Sequence, residues 1–158
     1  MGQRILTMIK IKDLLKEIID IYSPEELQAK EISYEIKEES RNRFRTQLRY
    51  RDQYYELAIL PTYSPKCPSV HFGSTDEKYN NLNLSKLLNS PYSSRILAAI
   101  FGLIRYWVNK YGVICFDYSV EGEVRTKLYN YYFEKHFQDF ESTLELDGSL
   151  PIQTWRKI

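Results

Sequence analysis

The chain has only two histidines, two cysteines and six glycines in 158 residues. His71 and His136 stand far from Cys67 and Cys115 in sequence, and no run has the spacing that builds a structural zinc site. No glycine-rich loop of the kind that cradles phosphates is present. There is likewise no H-E-x-x-H, no C-x-x-C pair and no G-x-S-x-G, so the motif-bearing reaction classes have no foothold. Charge of one sign is also missing. The 22 basic and 21 acidic residues leave a net charge of +1, which gives no global attraction to nucleic acid or to an anionic membrane. No apolar run approaches the length that crosses a bilayer. Met1 to Lys10 carries Arg4 and Lys10, but its apolar stretch is short and interrupted, unlike a secretory signal. Two cysteines do not make a disulfide framework in a chain of this size. The expectation is a reducing, cytoplasmic setting, with no cofactor and no membrane partner; the oligomeric state is left open.

What is present is a composition for one folded domain. Hydrophobic residues make up 43% and charged residues 27%, a globular balance. Aromatic content is high, at 15% with 14 Tyr. Tyrosine pairs an apolar body with a polar tip, so the excess fits strands, a binding face, or both.

Along the chain, Leu14, Leu15, Ile18 and Ile19 recur at helical spacing against Lys12, Asp13, Lys16, Glu17 and Asp20. Ser23-Pro24-Glu25-Glu26 combines an N-cap serine, a first-turn proline and a glutamate three residues on, which starts a short helix near 24–29. These make an N-terminal helical segment, 1–30. The period then changes to two. Ile32, Tyr34 and Ile36 alternate with polar residues. Phe44, Thr46, Leu48 and Tyr50 oppose Arg43, Arg45, Gln47 and Arg49. Tyr55, Leu57 and Ile59 oppose Glu56 and Ala58. Three strands over 31–61 predict an antiparallel meander with one apolar and one charged face.

Residues 62–83 read as a loop rich in turn residues, with Val70-His71-Phe72 as a short edge strand inside it. An α-β-α-β unit follows over 84–158. Its first long helix, about 92–110, is apolar almost all round and so is buried, and Gly112 stands where a C-terminal glycine belongs. Val113 to Phe116 reads as a central strand that ends at Asp117. A helix runs to about Lys135, with Leu128, Tyr131 or Tyr132, and Phe133 inward. Two last strands, Phe140 to Leu146 and Ile152 to Trp155, flank an Asp147-Gly148 turn. The fold class is α+β: a three-stranded meander continuing into an α-β-α-β unit.

Two constellations are candidates for binding. The first is Arg43, Arg45 and Arg49 on one side of a strand, with Arg41, Arg51, Tyr50, Tyr54 and Tyr55 nearby. Such a row grips phosphates or carboxylates by paired bonds, and tyrosines add stacking. It equally describes a solvated face paired with Glu31, Glu35, Glu38 and Glu39 across the sheet. The second is Asp117 through Tyr129. A carboxylate at a strand end faces the crevice where open sheets take ligands, and Arg125 and Tyr129, four apart, share a helix face. The structural alternative is an Asp117–Arg125 pair. His71, Ser74 and Asp76 match no nucleophilic triad. Cys67, beside Lys66, has a cationic neighbour of the kind that activates a thiol, but no identifiable base.

The segment Ile114-Cys115-Phe116-Asp117 through Arg125-Thr126-Lys127-Leu128-Tyr129 resembles the later half of small, uncharacterised bacterial domains, over about residues 92–137. More distantly, the β-β-β-α-β-α-β order and the Leu128-Tyr129 pair resemble the GNAT acyltransferases. That resemblance implies acyl-coenzyme A as ligand and Tyr129 as general acid. The family's Arg/Gln-x-x-Gly-x-Gly/Ala loop is replaced here by Asn89-Ser90-Pro91-Tyr92-Ser93-Ser94-Arg95, and without glycines the backbone approaches phosphates less closely. The leading expectation is therefore a non-catalytic binding domain of bacterial or phage origin, with a host-defence or toxin-antitoxin-like role. It would engage a protein or nucleic acid through the Arg/Tyr face and the 61–83 loop. The alternatives are a GNAT-like acyltransferase or degenerate relative, and a protein acting on nucleotides or nucleic acid through Asp117, Arg125 and the arginine row.

Overall fold

The computed structural model describes residues 21–61, 67–119, 123–147 and 150–158, without the side chains of 123–125, 147 and 150. The helix expected from Leu14 to Ile19 lies outside the described residues. The described chain is mixed α+β. Four helices, α1 (Pro24–Leu27), α2 (Leu84–Leu88), α3 (Ser93–Tyr111) and α4 (Glu123–His136), accompany seven strands: β1 (Ser33–Glu39), β2 (Phe44–Tyr50), β3 (Gln53–Leu60), β4 (Ser69–Thr75), β5 (Cys115–Ser119), β6 (Phe140–Asp147) and β7 (Leu150–Lys157). They form one sheet in the order β1-β2-β3-β4-β5-β7-β6. Every neighbouring pair is antiparallel except β4 and β5.

Local chemistry explains most boundaries. The Ser23 N–H donates to Glu26 Oε1 at 3.1 Å, closing the expected capping box of α1. Asn83 caps α2 by accepting from the Lys86 N–H at 2.9 Å. Gly112 ends α3 in the left-handed conformation at φ 58°. Arg51 also takes positive φ, at 57°, in the turn between β2 and β3.

The apolar helix α3 is buried on nearly every side and shares one core with Phe44, Leu48, Leu57 and Phe72 of the sheet. Tyr22 crosses it so closely that its N–H donates to the Ala98 carbonyl at 3.0 Å. A Cβ at Gly102 would fall 1.7 Å from the Tyr22 carbonyl oxygen, so glycine is what admits the crossing chain. At its far end, α3 is tied to the turn before β6. Arg105 donates two bonds to Asp139, at 2.7 and 2.9 Å, and Lys157 adds a third at 3.2 Å.

The Arg105 bonds hold the Asp139 carboxyl down at about 2, below the usual aspartate range. A depressed carboxylate stabilises the fold above its unfolded pKa, and that contribution is lost as pH falls from about 4 to about 2. Asp139 is a third exposed, so solvent screening reduces the effect. Arg105→Gln should cost about 1 kcal/mol at pH 7 and close to nothing at pH 2, measured by urea denaturation at both pH values. Equal losses at the two pH values would remove the ion pair as the cause.

Four expectations are corrected. Val70-His71-Phe72 is not an edge strand within a loop. Ser69–Thr75 pairs with β3 along its whole length, from Leu60↔Ser69 to Tyr54↔Thr75, and lies inside the sheet. The meander therefore has four strands. The Glu56 and Ala58 side of β3 is buried, because neighbours cover it on both sides; Glu56 is 4% exposed. Asp117 does not end its strand. It sits in the middle of β5, opposite Thr154 of β7, and is 6% exposed. Finally, Cys67 and Cys115 are not separate thiols. They form a disulfide with Cα atoms 5.4 Å apart, so the two cysteines no longer support a reducing compartment. No helix among the described residues is long and apolar enough to cross a membrane.

Candidate functional site

The arginine row is on the face opposite the core, as alternation requires: Phe44, Thr46, Leu48 and Tyr50 are all buried beneath it. Its members differ in what they already hold. Arg45 donates from Nε and Nη2 to Glu56 Oε1, at 3.0 and 2.8 Å, and from Nη1 to Glu38 at 3.1 Å. Those carboxylates raise its pKa further, Glu56 contributing most. Arg43 approaches Glu38 at 3.4 Å. Arg49 lies over the Tyr54 ring at 5.4 Å and donates to the Arg51 carbonyl. Arg51 lies over both the Tyr50 and Tyr92 rings. Tyr50 and Tyr55 turn away from this row into the core, at 3% and 1% exposed, and the Tyr50 hydroxyl accepts from Arg95 at 3.0 Å. Of the four glutamates expected as partners, Glu38 serves; Glu35 contacts Lys37 and Glu39 contacts Lys110.

The second constellation is at a break in the sheet. β4 and β5 run parallel and meet at one register pair, Ser69↔Asp117, with the Asp117 N–H donating to the Pro68 carbonyl at 3.0 Å. Beyond that point the strands separate, and a cavity of about 360 Å³ occupies the opening. Ala58 and Leu60 line it from β3, Val70, His71 and Phe72 from β4, Ser119 from β5, Tyr129 from α4, and Leu82 and Leu84 from the connection after β4. Residues of both sheet faces are in this list, since Val70 and Phe72 alternate with His71. The cavity is therefore lined by residues of both faces beside the β4/β5 opening.

Two backbone features shape this wedge. Ser74 and Asn83 exchange bonds at 3.0 and 2.8 Å, so the connection after β4 covers the far end of its edge. Gly73 allows this, because a Cβ there would lie 2.7 Å from the Asn83 nitrogen. Strand alternation turns the Phe72 N–H and C=O toward the same edge as those of Ser74, which puts them at the wedge between the two paired positions.

The structure brings Tyr129 to this wedge and places Asp117 two residues below Ser119, on the same side of β5. Tyr129 is 3% exposed and packs on Tyr118, with ring centroids 4.2 Å apart. The Arg125 side chain lies outside the described residues, and with it the Asp117–Arg125 alternative. His71 is exposed on β4 and joins the wedge. Cys67 is in the disulfide. Sequence reasoning missed Glu56, Leu60 and Ala58. Their roles depend on β4 lying beside β3, and a strand of Ser, His, Gly and Thr at alternate positions lacks a clear apolar period.

A larger cavity, about 510 Å³, lies where residues 21–26 cross α3, beside Arg105, Tyr106, Asn109 and Lys110; none of the candidate binding residues read from the sequence lines it. Among the described residues, no group of three or more His, Cys, Asp or Glu side chains is placed to hold a metal ion. In comparison with known proteins, no family model, no curated protein and no solved structure matches the chain.

Proposed function

We propose that the chain is a binding domain on a GNAT-like sheet, and that its ligand is the extended amide arm of an acyl-coenzyme A, taken up in the β4/β5 wedge. The observation that carries this is the divergence of two parallel strands after one register pair, with a cavity in the opening. An arm with amide groups suits a strand edge that still presents an N–H and a C=O, as at Phe72. Leu60, Val70, Leu82 and Leu84 give the cavity apolar walls, while His71, Ser119 and Tyr129 supply the few polar groups that orient a ligand. The run of four meander strands followed by α3, β5, α4 and two last strands, together with the Leu128-Tyr129 pair, supports the same reading.

For the phosphate end, the loop ahead of α3 lacks the glycines that would cradle it. Asn89 to Arg95 contains no glycine, and α3 begins after Pro91 with Tyr92 as its N-cap. The arm should thus account for nearly all the affinity. Calorimetry should give dissociation constants for acetyl-coenzyme A and for pantetheine within about threefold of each other. Coenzyme binding tighter by about tenfold would reveal a phosphate grip and argue against a degenerate site. No heat from either ligand at about 5 mM would end the proposal.

One observation favours a second reading, acyl transfer itself: Tyr129 and His71 line the same wedge, as an acid and a base would have to. Turnover of acetyl-coenzyme A that is lost in Tyr129→Phe would establish it. A nucleic-acid or protein partner on the arginine face is the weaker reading, because Arg45 already holds two carboxylates.

A further inference from the structure

The disulfide lies at a particular point of the wedge. Parallel strands advance together, so the residues two before the Ser69↔Asp117 pair are again opposite one another. Those residues are Cys67 and Cys115, and their bond crosses the closed end from which β4 and β5 diverge. A third residue is aimed at it. Arg156 of β7 is the register partner of Cys115, and its Nη1 stands 3.7 Å from Cys67 Sγ. Glu145 holds that guanidinium in place, accepting from Nη2 at 3.1 and 3.3 Å. A fixed cation beside one sulfur favours its thiolate, which makes Cys67 the better leaving group of the pair.

We propose that the Cys67–Cys115 bond is a reducible clasp that sets the opening of the β4/β5 wedge, with a dithiol as its reductant. One thiolate of the dithiol attacks Cys115 Sγ. A mixed disulfide forms there, and the electron pair of the broken bond leaves with Cys67 as a thiolate beside Arg156. The second dithiol thiolate attacks its own sulfur in the mixed disulfide and expels Cys115. The dithiol departs as a cyclic disulfide, oxidised by two electrons. The two protons it gives up are taken by the cysteine thiolates or by solvent. The β4/β5 junction then loses its covalent tie and keeps the hydrogen bond from the Asp117 N–H to the Pro68 carbonyl.

The test uses the full chain with and without dithiothreitol and follows backbone hydrogen exchange by NMR. Reduction should speed exchange at the Asp117 amide by about tenfold or more and leave Leu48 in β2 unchanged. An unchanged Asp117 overturns the proposal, as does equal acceleration at Leu48, which would mean global unfolding. Quantitative alkylation of both cysteines before any reductant is added also overturns it. In the reduced protein, Arg156→Gln should slow iodoacetamide alkylation of Cys67 about tenfold at pH 7 and leave Cys115 unaffected. Equal rates in variant and wild type would remove Arg156 from the mechanism. These readouts need no ligand. Failure of pantetheine to bind would therefore count against the proposed function and not against the clasp.

Discussion

Replacing Phe101 by alanine is expected to cost about 4 kcal/mol and to lower the thermal midpoint by roughly 10 °C. Phe101 is fully buried in the middle of α3. It stacks on Tyr132 with centroids 4.0 Å apart and planes 3° from parallel, and it meets Phe72 and Phe133 edge-on at 5.6 and 5.1 Å. It thus joins the helix to β4 on one side and to α4 on the other. Truncation removes a large apolar side chain and leaves a cavity that three rings from two other elements cannot fill together. Phe101→Leu keeps most of the volume and should cost about 1.5 kcal/mol. Calorimetric scans of the two variants give the comparison. Similar small losses in both would mean the site collapses around the gap and that the ring contacts contribute little.

That cluster is where much of the aromatic excess goes. Tyr118 and Tyr129 are buried with Phe116 and Phe133 where β5 meets α4, and Tyr132 is buried where α4 meets α3. Burial pushes the Tyr118 and Tyr132 hydroxyls well above their ordinary pKa. A tyrosine count from sequence fits either a binding face or a core, and Tyr54 over Arg49 shows that some tyrosines do stay at the surface.

Legibility followed periodicity. β2 was plain in the sequence because four arginine and glutamine positions alternate with Phe44, Thr46, Leu48 and Tyr50. The ends of α3 were plain because Gly112 and the Ser90-Pro91 turn punctuate a stretch that is apolar almost all round. β4 was not, because its partners on β3 and not its own pattern make it a strand. With β4 read as a three-residue edge strand inside a loop, the wedge was hidden, since an edge strand has no neighbour to diverge from. The disulfide was hidden for the same reason. Cys67 and Cys115 are 48 residues apart, and only the parallel register of β4 with β5 makes them neighbours. The arginine row was visible, but Glu56, which decides what Arg45 does, was assigned to a solvated face.

Arg45→Met is expected to cost about 3 kcal/mol, whereas Arg43→Met and Arg49→Met should each cost under about 0.5 kcal/mol. The three residues share a strand and a face, and the difference lies in the partner. The Glu56 side chain is only 5% exposed and takes two bonds from Arg45, whose own side chain is 32% exposed. Removing the guanidinium leaves a buried carboxylate without its cation, the costly way to break an ion pair. Arg43 meets Glu38 on the open surface, where such pairs contribute little. Arg45→Met combined with Glu56→Leu should recover most of the loss, because the stranded charge goes as well. Urea denaturation of the single and double variants measures the coupling directly. If Arg45→Met proves as mild as the other two, Glu56 is solvated in the folded protein and Arg45 is free to serve an anionic partner after all. If the loss is large and the double variant restores it, Arg45 is a structural residue, and of the row on this strand Arg43 and Arg49 are left to meet a ligand.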